Sequence, residues 1–142
     1  MGWTAPKTMG AEAGTSADWN TYVRDNTDFL KQNIALEAAV ELTIAVGVIT
    51  KTKAYHTITV EGGIGSGADQ LDTCGGGSEG DILILKATTS GANDTVTIAD
   101  STGAGTFILA GGANFVMAHV DDRIMLIHNG TEWVEISRSD NS

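Results

Sequence analysis

Cysteine and proline are nearly missing from this 142-residue sequence, each occurring once, at Cys74 and Pro6. One cysteine cannot close an intramolecular disulfide, which excludes a disulfide-stapled small scaffold. Cations are also scarce: eight Lys and Arg stand against eighteen Asp and Glu, for a formal charge of −10. A surface of that sign repels nucleic-acid phosphates and anionic lipid, so neither is an expected direct partner, whereas a basic protein surface would be attracted. No apolar run reaches the roughly 18 residues a membrane span needs. The first twenty residues lack a charged region followed by an apolar one, so no signal peptide is expected, and synthesis in a reducing cytosol is. A compact chain of this length buries roughly 68–70% of its unfolded surface, enough for one core.

Composition divides what is present into two parts, 1–40 and 41–142. Met1 to Gly14 is rich in Gly, Ala and Thr, has no apolar periodicity and reads as an extended arm. Such an arm is either a loose terminus or a docking element, and Trp3, a common interface anchor, favours docking. Thr15 or Ser16 then caps a short helix, with Asp18 in the role of a capping-box acid. Trp19, Tyr22, Val23, Asn26, Leu30 and Asn33 recur at helical spacing, and Phe29 widens the stripe. That apolar load packs on the chain's own β domain, on copies of itself or on another protein.

From Glu41 the apolar period becomes two. Leu42, Ile44, Val46 and Val48 alternate with small residues, which predicts one strand over 41–48. Tyr55 to Val60 alternates again. Residues 61–112 hold 13 of the 18 glycines, and within them Gly62 to Gly80 reads as a long docking or functional loop. Short strands are then predicted at 82–85, 95–99, 106–109, 114–118, 124–128 and 133–136. Turn residues separate them, and Asn129-Gly130 predicts a hairpin with a type I′ turn. This spacing predicts a mainly β fold, a sandwich or barrel-like knob of jelly-roll or β-tulip type. Its expected core is Ile82, Ile84, Val96, Ile98, Phe107, Leu109, Phe115, Met117, Ile124, Leu126, Val134 and Ile136.

A search for chemistry gives no catalytic set. His56, His119 and His128 lie in or beside predicted strands with no motif around them, and His56 and His128 read as core or wall residues. Cys74 in Thr-Cys-Gly-Gly-Gly has no neighbouring cation to activate it. Asp69, Asp72, Glu79 and Asp81 could offer oxygen ligands, but their spacing matches no calcium motif, and turn caps are the simpler reading. Asp121-Asp122 before Arg123 reads as a turn with a local ion pair. Gly62 to Gly67 has neither the Lys nor the helix of a phosphate loop. Trp133 and Tyr55 could stack on a sugar, though Trp133 in a hairpin strand reads as core. Binding or architecture is expected, not an enzyme, with no cofactor and no metal.

Two ordered sets of residues carry a family resemblance. The first is Gly2-Trp3-Thr4-Ala5-Pro6-Lys7-Thr8 with Ala17-Asp18-Trp19-Asn20-Thr21-Tyr22-Val23-Arg24-Asp25-Asn26 and Leu30-Lys31. It resembles the N-terminal signature of small virion proteins of tailed bacteriophages. The second runs from Tyr55-His56 through Asp69-Gln70-Leu71-Asp72-Thr73, Gly80-Asp81-Ile82-Leu83-Ile84-Leu85 and Asp122-Arg123-Ile124 to Trp133-Val134-Glu135-Ile136-Ser137-Arg138. It is similar to the C-terminal β domain of phage fibre and head-decoration proteins. Cys74-Gly75-Gly76-Gly77 departs from the pattern, which commonly has an apolar residue before the glycines.

The resemblance implies a trimeric virion component. A chain this short, without a shaft repeat, points to a decoration (cement) protein on the outer capsid surface that binds the major capsid protein. The alternative is a short tail fibre or receptor-binding protein on a tail or baseplate protein, contacting host glycan or protein. Trp3, Pro6, Trp19, Tyr22, Val23 and Phe29 are the expected docking contacts.

Overall fold

The computed structural model describes residues 36–88 and 94–141. The chain divides into two compact units, Met1–Glu37 and Ala38–Ser142, and every strand among the described residues belongs to the second. Of the predicted arm and helix, 1–40, residues 1–35 lie outside the described residues, and Val40 already opens the first strand.

The described residues hold eleven strands. They are β1 (Val40–Thr43), β2 (Val48–Thr50), β3 (Tyr55–Thr59), β4 (Ala68–Leu71), β5 (Thr73–Gly75) and β6 (Ile82–Ala87), then β7 (Thr95–Ile98), β8 (Phe107–Ile108), β9 (Phe115–Met117), β10 (Arg123–His128) and β11 (Trp133–Ser139). A six-stranded sheet runs β1-β3-β6-β10-β11-β8, a three-stranded sheet runs β4-β7-β9, and β2 pairs with β5. The fold is mainly β, as expected.

Its early pairings are parallel: β1 with β3, β3 with β6, β2 with β5 and β4 with β7. The chain visits the sheets in turn and lays each segment beside its predecessor, a solenoid-like stacking. Regular turn spacing predicts a sandwich or barrel, but spacing alone does not say which strands pair. Parallel register stacks like positions into interior columns. Leu42, Ile58 and Ala87 form one. His56, Leu85 and Ile124 form a second, and Leu71, Ile98 and Phe115 a third. Except for the half-buried Leu42, all of these are buried. Each fully buried Leu or Ile contributes about 1.5–3 kcal/mol of transfer free energy. The stack ends where the chain reverses: β9 runs antiparallel to β7, β10 to β6, and β11 to β10.

Four sequence expectations change. The strand predicted over 41–48 breaks at Val46-Gly47, where both residues have positive φ (51° and 74°) and Ala45 and Val48 exchange backbone hydrogen bonds of 3.0 and 3.1 Å. Ile44 is buried, while Val46 is 85% exposed. Glycine suits position 47 because its φ lies in the left-handed region, and its carbonyl ties the turn to the β4–β5 segment by accepting from the N–H groups of Asp72 and Thr73.

The loop predicted over Gly62 to Gly80 contains β4 and β5, which bury Leu71 and Cys74. Strands this short bring only one or two side chains each to the core, so they leave little periodicity to read. Asn129 lacks the positive φ of a type I′ turn. A four-residue connection instead joins His128 to its partner Trp133, and Asn129 Oδ1 caps it by accepting from Thr131 and Glu132 N–H.

The fourth change is in facing. In β6, Leu83, Leu85 and Ala87 point inward, not Ile82 and Ile84. In β11, Trp133 is buried, Val134 is half-buried and Ile136 is 52% exposed. The run Ile82-Leu83-Ile84-Leu85 is apolar on both parities, so only tertiary pairing chooses the inner set.

Candidate interaction surface

The residues singled out for chemistry are held in structural roles. His56 is fully buried, with Nδ1 2.9 Å from the Val40 carbonyl, while Nε2 accepts from Thr52 and Lys53 N–H at 3.2 and 3.0 Å. That arrangement requires the proton on Nδ1, and the ring organises the turn between β2 and β3. His128 Nδ1 accepts from Gly130 N–H, and its ring meets Trp133 edge-on at 4.8 Å. His119 is half-exposed, and its Nδ1 accepts from Asp121 N–H. Burial pushes the Cys74 thiol up to about 11, which leaves it protonated and unreactive at neutral pH.

The carboxylates mostly cap backbone. Asp69 accepts from Glu61 and Gln70 N–H, and Asp72 from the Gln70 side chain. Asp122 is fully buried and accepts from Ala118, His119 and Asn141 N–H, tying the turn before β10 to the end of β11. Asp94, also buried, accepts from Gly65 and Gly67 N–H. Asp121 sits 3.6 Å from the Arg123 guanidinium, the local pair expected. Lys51 Nζ lies 2.9 Å from Asp81. Burial alone would raise the Asp81 carboxyl, but Lys51 and Ser78 N–H outweigh it and hold it below the usual range. Among the described residues, no three His, Cys, Asp or Glu side chains are grouped to hold a metal ion.

The closing motif Trp133-Val134-Glu135-Ile136-Ser137-Arg138 locks the end of the stack. Trp133 is fully buried and its indole Nε1–H donates to the Cys74 carbonyl at 2.9 Å, joining β11 to β5. On a regular strand, residues three apart face opposite sides. Here the register shifts: Leu126 faces Glu135, but Met125 faces Ser137, which leaves Ile136 as a bulge. The shift returns Arg138 to the side of Glu135. Arg138 therefore donates twice to the Glu135 carboxylate, Nε at 2.6 Å, and its guanidinium lies 4.9 Å over the Phe115 ring. Arg138, against some burial and with help from Ala110 N–H, holds the Glu135 carboxyl below its ordinary value.

The outward side of the six-stranded sheet is a different kind of surface. Ile82 is cross-strand from Ile127, which is also paired with Val134. Ile84 stands between Tyr55 and Met125. Ile82, Ile127 and Ile136 are 40%, 36% and 52% exposed, and the other four are half-buried. Lys86 and Arg123, cross-strand from one another, close one end of the strip. Sequence reasoning assigned Ile82, Ile84, Val134 and Ile136 to the core and did not identify this strip. The signal was present: runs apolar on both parities, Ile82 to Leu85 and Ile124 to Ile127, belong to sheets covered on both faces.

The expected docking residues Trp3, Pro6, Trp19, Tyr22, Val23 and Phe29 lie outside the described residues. No protein-family model, no curated protein and no solved structure matches this chain.

Proposed function

We propose that this chain is a virion structural protein of a tailed bacteriophage, a homotrimeric capsid decoration protein that binds the outer shell and stabilises it. The observation that carries this reading is the outward strip from Tyr55 to Ile136. A strongly acidic chain whose largest sheet carries an apolar strip on its outward side, besides its core side, has the make-up of a part in an assembly. The ordered motifs that resemble phage virion proteins support it, and Trp133, Glu135 and Arg138 of the ending are the residues that fasten the β unit. In this reading the β unit is the trimeric knob. Trp3, Pro6, Trp19, Tyr22, Val23 and Phe29 dock it to the major capsid protein, bridging neighbouring shell subunits against the pressure of packaged DNA.

Deleting residues 1–14 tests the docking role. Trimers are expected to survive while purified protein no longer binds mature capsids, and unchanged binding would refute it. Copy number per virion tests the location: on the order of hundreds places the protein on the shell. A count in the tens or below favours a second reading, a short tail fibre or receptor-binding protein. Val46 and Ile64, 85% and 65% exposed at loop tips, are the observation in favour of that reading.

A further inference from the structure

The strip on the outward face of the six-stranded sheet carries one more step. Half-covered sheets alternate apolar and polar residues, because the face in water gains nothing from apolar side chains. β6 and β10 do not alternate: Ile82, Ile84, Met125 and Ile127 face outward while Leu83, Leu85, Ile124 and Leu126 face the core. The outward positions of β3, β6, β10 and β11 span roughly 20 by 20 Å, about 400 Å² of sheet. That is the scale of an interface's apolar centre, to which a rim is added.

Charge selects the occupant. On a chain of formal charge −10, these outward positions of the four strands hold Lys86 and Arg123 and no carboxylate, and Glu41 of β1, cross-strand from Thr57, stands at their margin. Glu135, the one acid within the four strands, is turned inward to Arg138. Two copies of so acidic a chain repel one another least where carboxylates are missing, and this face also offers apolar area to bury. We propose that the outward face of β3, β6, β10 and β11 is the surface through which copies of this chain pack against one another. The assignment rests on the reading of the protein as a self-assembling virion component, and it names where that assembly is made.

The test is the mass of the full chain in solution, by sedimentation or native mass spectrometry, for the wild type and for Ile127→Glu and Ile136→Glu. Val116→Glu places the same charge on the exposed face of β9, in the three-stranded sheet, where Val116 is 48% exposed. Wild type and V116E are expected to form the same oligomer. I127E and I136E are expected to dissociate at least about a hundredfold more readily, with far-UV circular dichroism unchanged. I136E, at the more exposed position, keeps the test alive if I127E fails to fold. An oligomer that survives both substitutions overturns this assignment and leaves the proposed function standing. A wild type that stays monomeric from micromolar concentrations upward overturns both this assignment and the trimer of the proposed function.

Discussion

Gly77 lies against two buried rings, and replacing it with alanine gives a sharp test of how the stack is locked. A Cβ there would stand 2.5 Å from His128 Cδ2 and 2.6 Å from Trp133 Cζ2. Ordinary carbon contacts are about 3.5–4.0 Å, so each ring would have to retreat by about 1 Å. Neither ring is free to do so. Trp133 is fully buried and tethered through its indole N–H to Cys74, and His128 is buried and tethered to Gly130. Gly77 has no left-handed φ, so the cost is steric and not conformational. Overpacking of this kind costs about 1–3 kcal/mol, and two fixed neighbours put Gly77→Ala in the upper half of that range. At about 4 °C per kcal/mol, the melting temperature should fall by about 8–12 °C. Thermal unfolding by circular dichroism at one fixed protein concentration measures it, since association would otherwise shift the midpoint.

A double-mutant cycle isolates the cause. Trp133→Phe removes Cζ2, one of the two carbons that crowd the new methyl, and by itself costs stability because the buried Cys74 carbonyl loses its donor. If the clash is the reason G77A is costly, the double variant should be less destabilised than the sum by about 1–2 kcal/mol. Additivity within about 0.5 kcal/mol, or a G77A protein that melts like the wild type, would refute the proposed packing of Gly77 on the two rings.

Three other outcomes follow from the same structure. Val46 holds a φ of 51° while 85% exposed, so Val46→Asn, which tolerates that conformation, should stabilise the protein by about 1 kcal/mol in urea unfolding. The folded-state values of Asp81 and Glu135 both lie below their ordinary ones. Their contribution is therefore complete above about pH 5 and lost as pH falls through the lowered values. The urea midpoint should drop from pH 5 to pH 3, and Glu135→Gln should flatten part of that drop. Cys74, buried and raised to about 11, should resist a thiol reagent at pH 8 and react at least about a hundredfold faster in denaturing urea. Equal rates would place the thiol at the surface.

The order of residues alone marked the second unit as mainly β and located most of its strands, because Tyr55 to Thr59 and Thr95 to Ile98 alternate and glycine or asparagine stands between such runs. It also pointed to His56 and His128 as core or wall residues and to Trp133 as core, since each lies in an alternating or hairpin run, and all three are buried. Which strands pair was decided by tertiary structure. Val40 meets His56, sixteen residues on, and His56 meets Leu85, twenty-nine on; no local pattern encodes a return of that length. β4 and β5 were hidden because three- and four-residue strands with one or two inward side chains look like loop. Facing was also a tertiary matter. An unbroken apolar run such as Ile82 to Leu85 leaves both parities equal, and the choice fell to the column of His56, Leu85 and Ile124. That choice sent Ile82 and Ile84 outward, and with them the surface proposed to join one copy to the next.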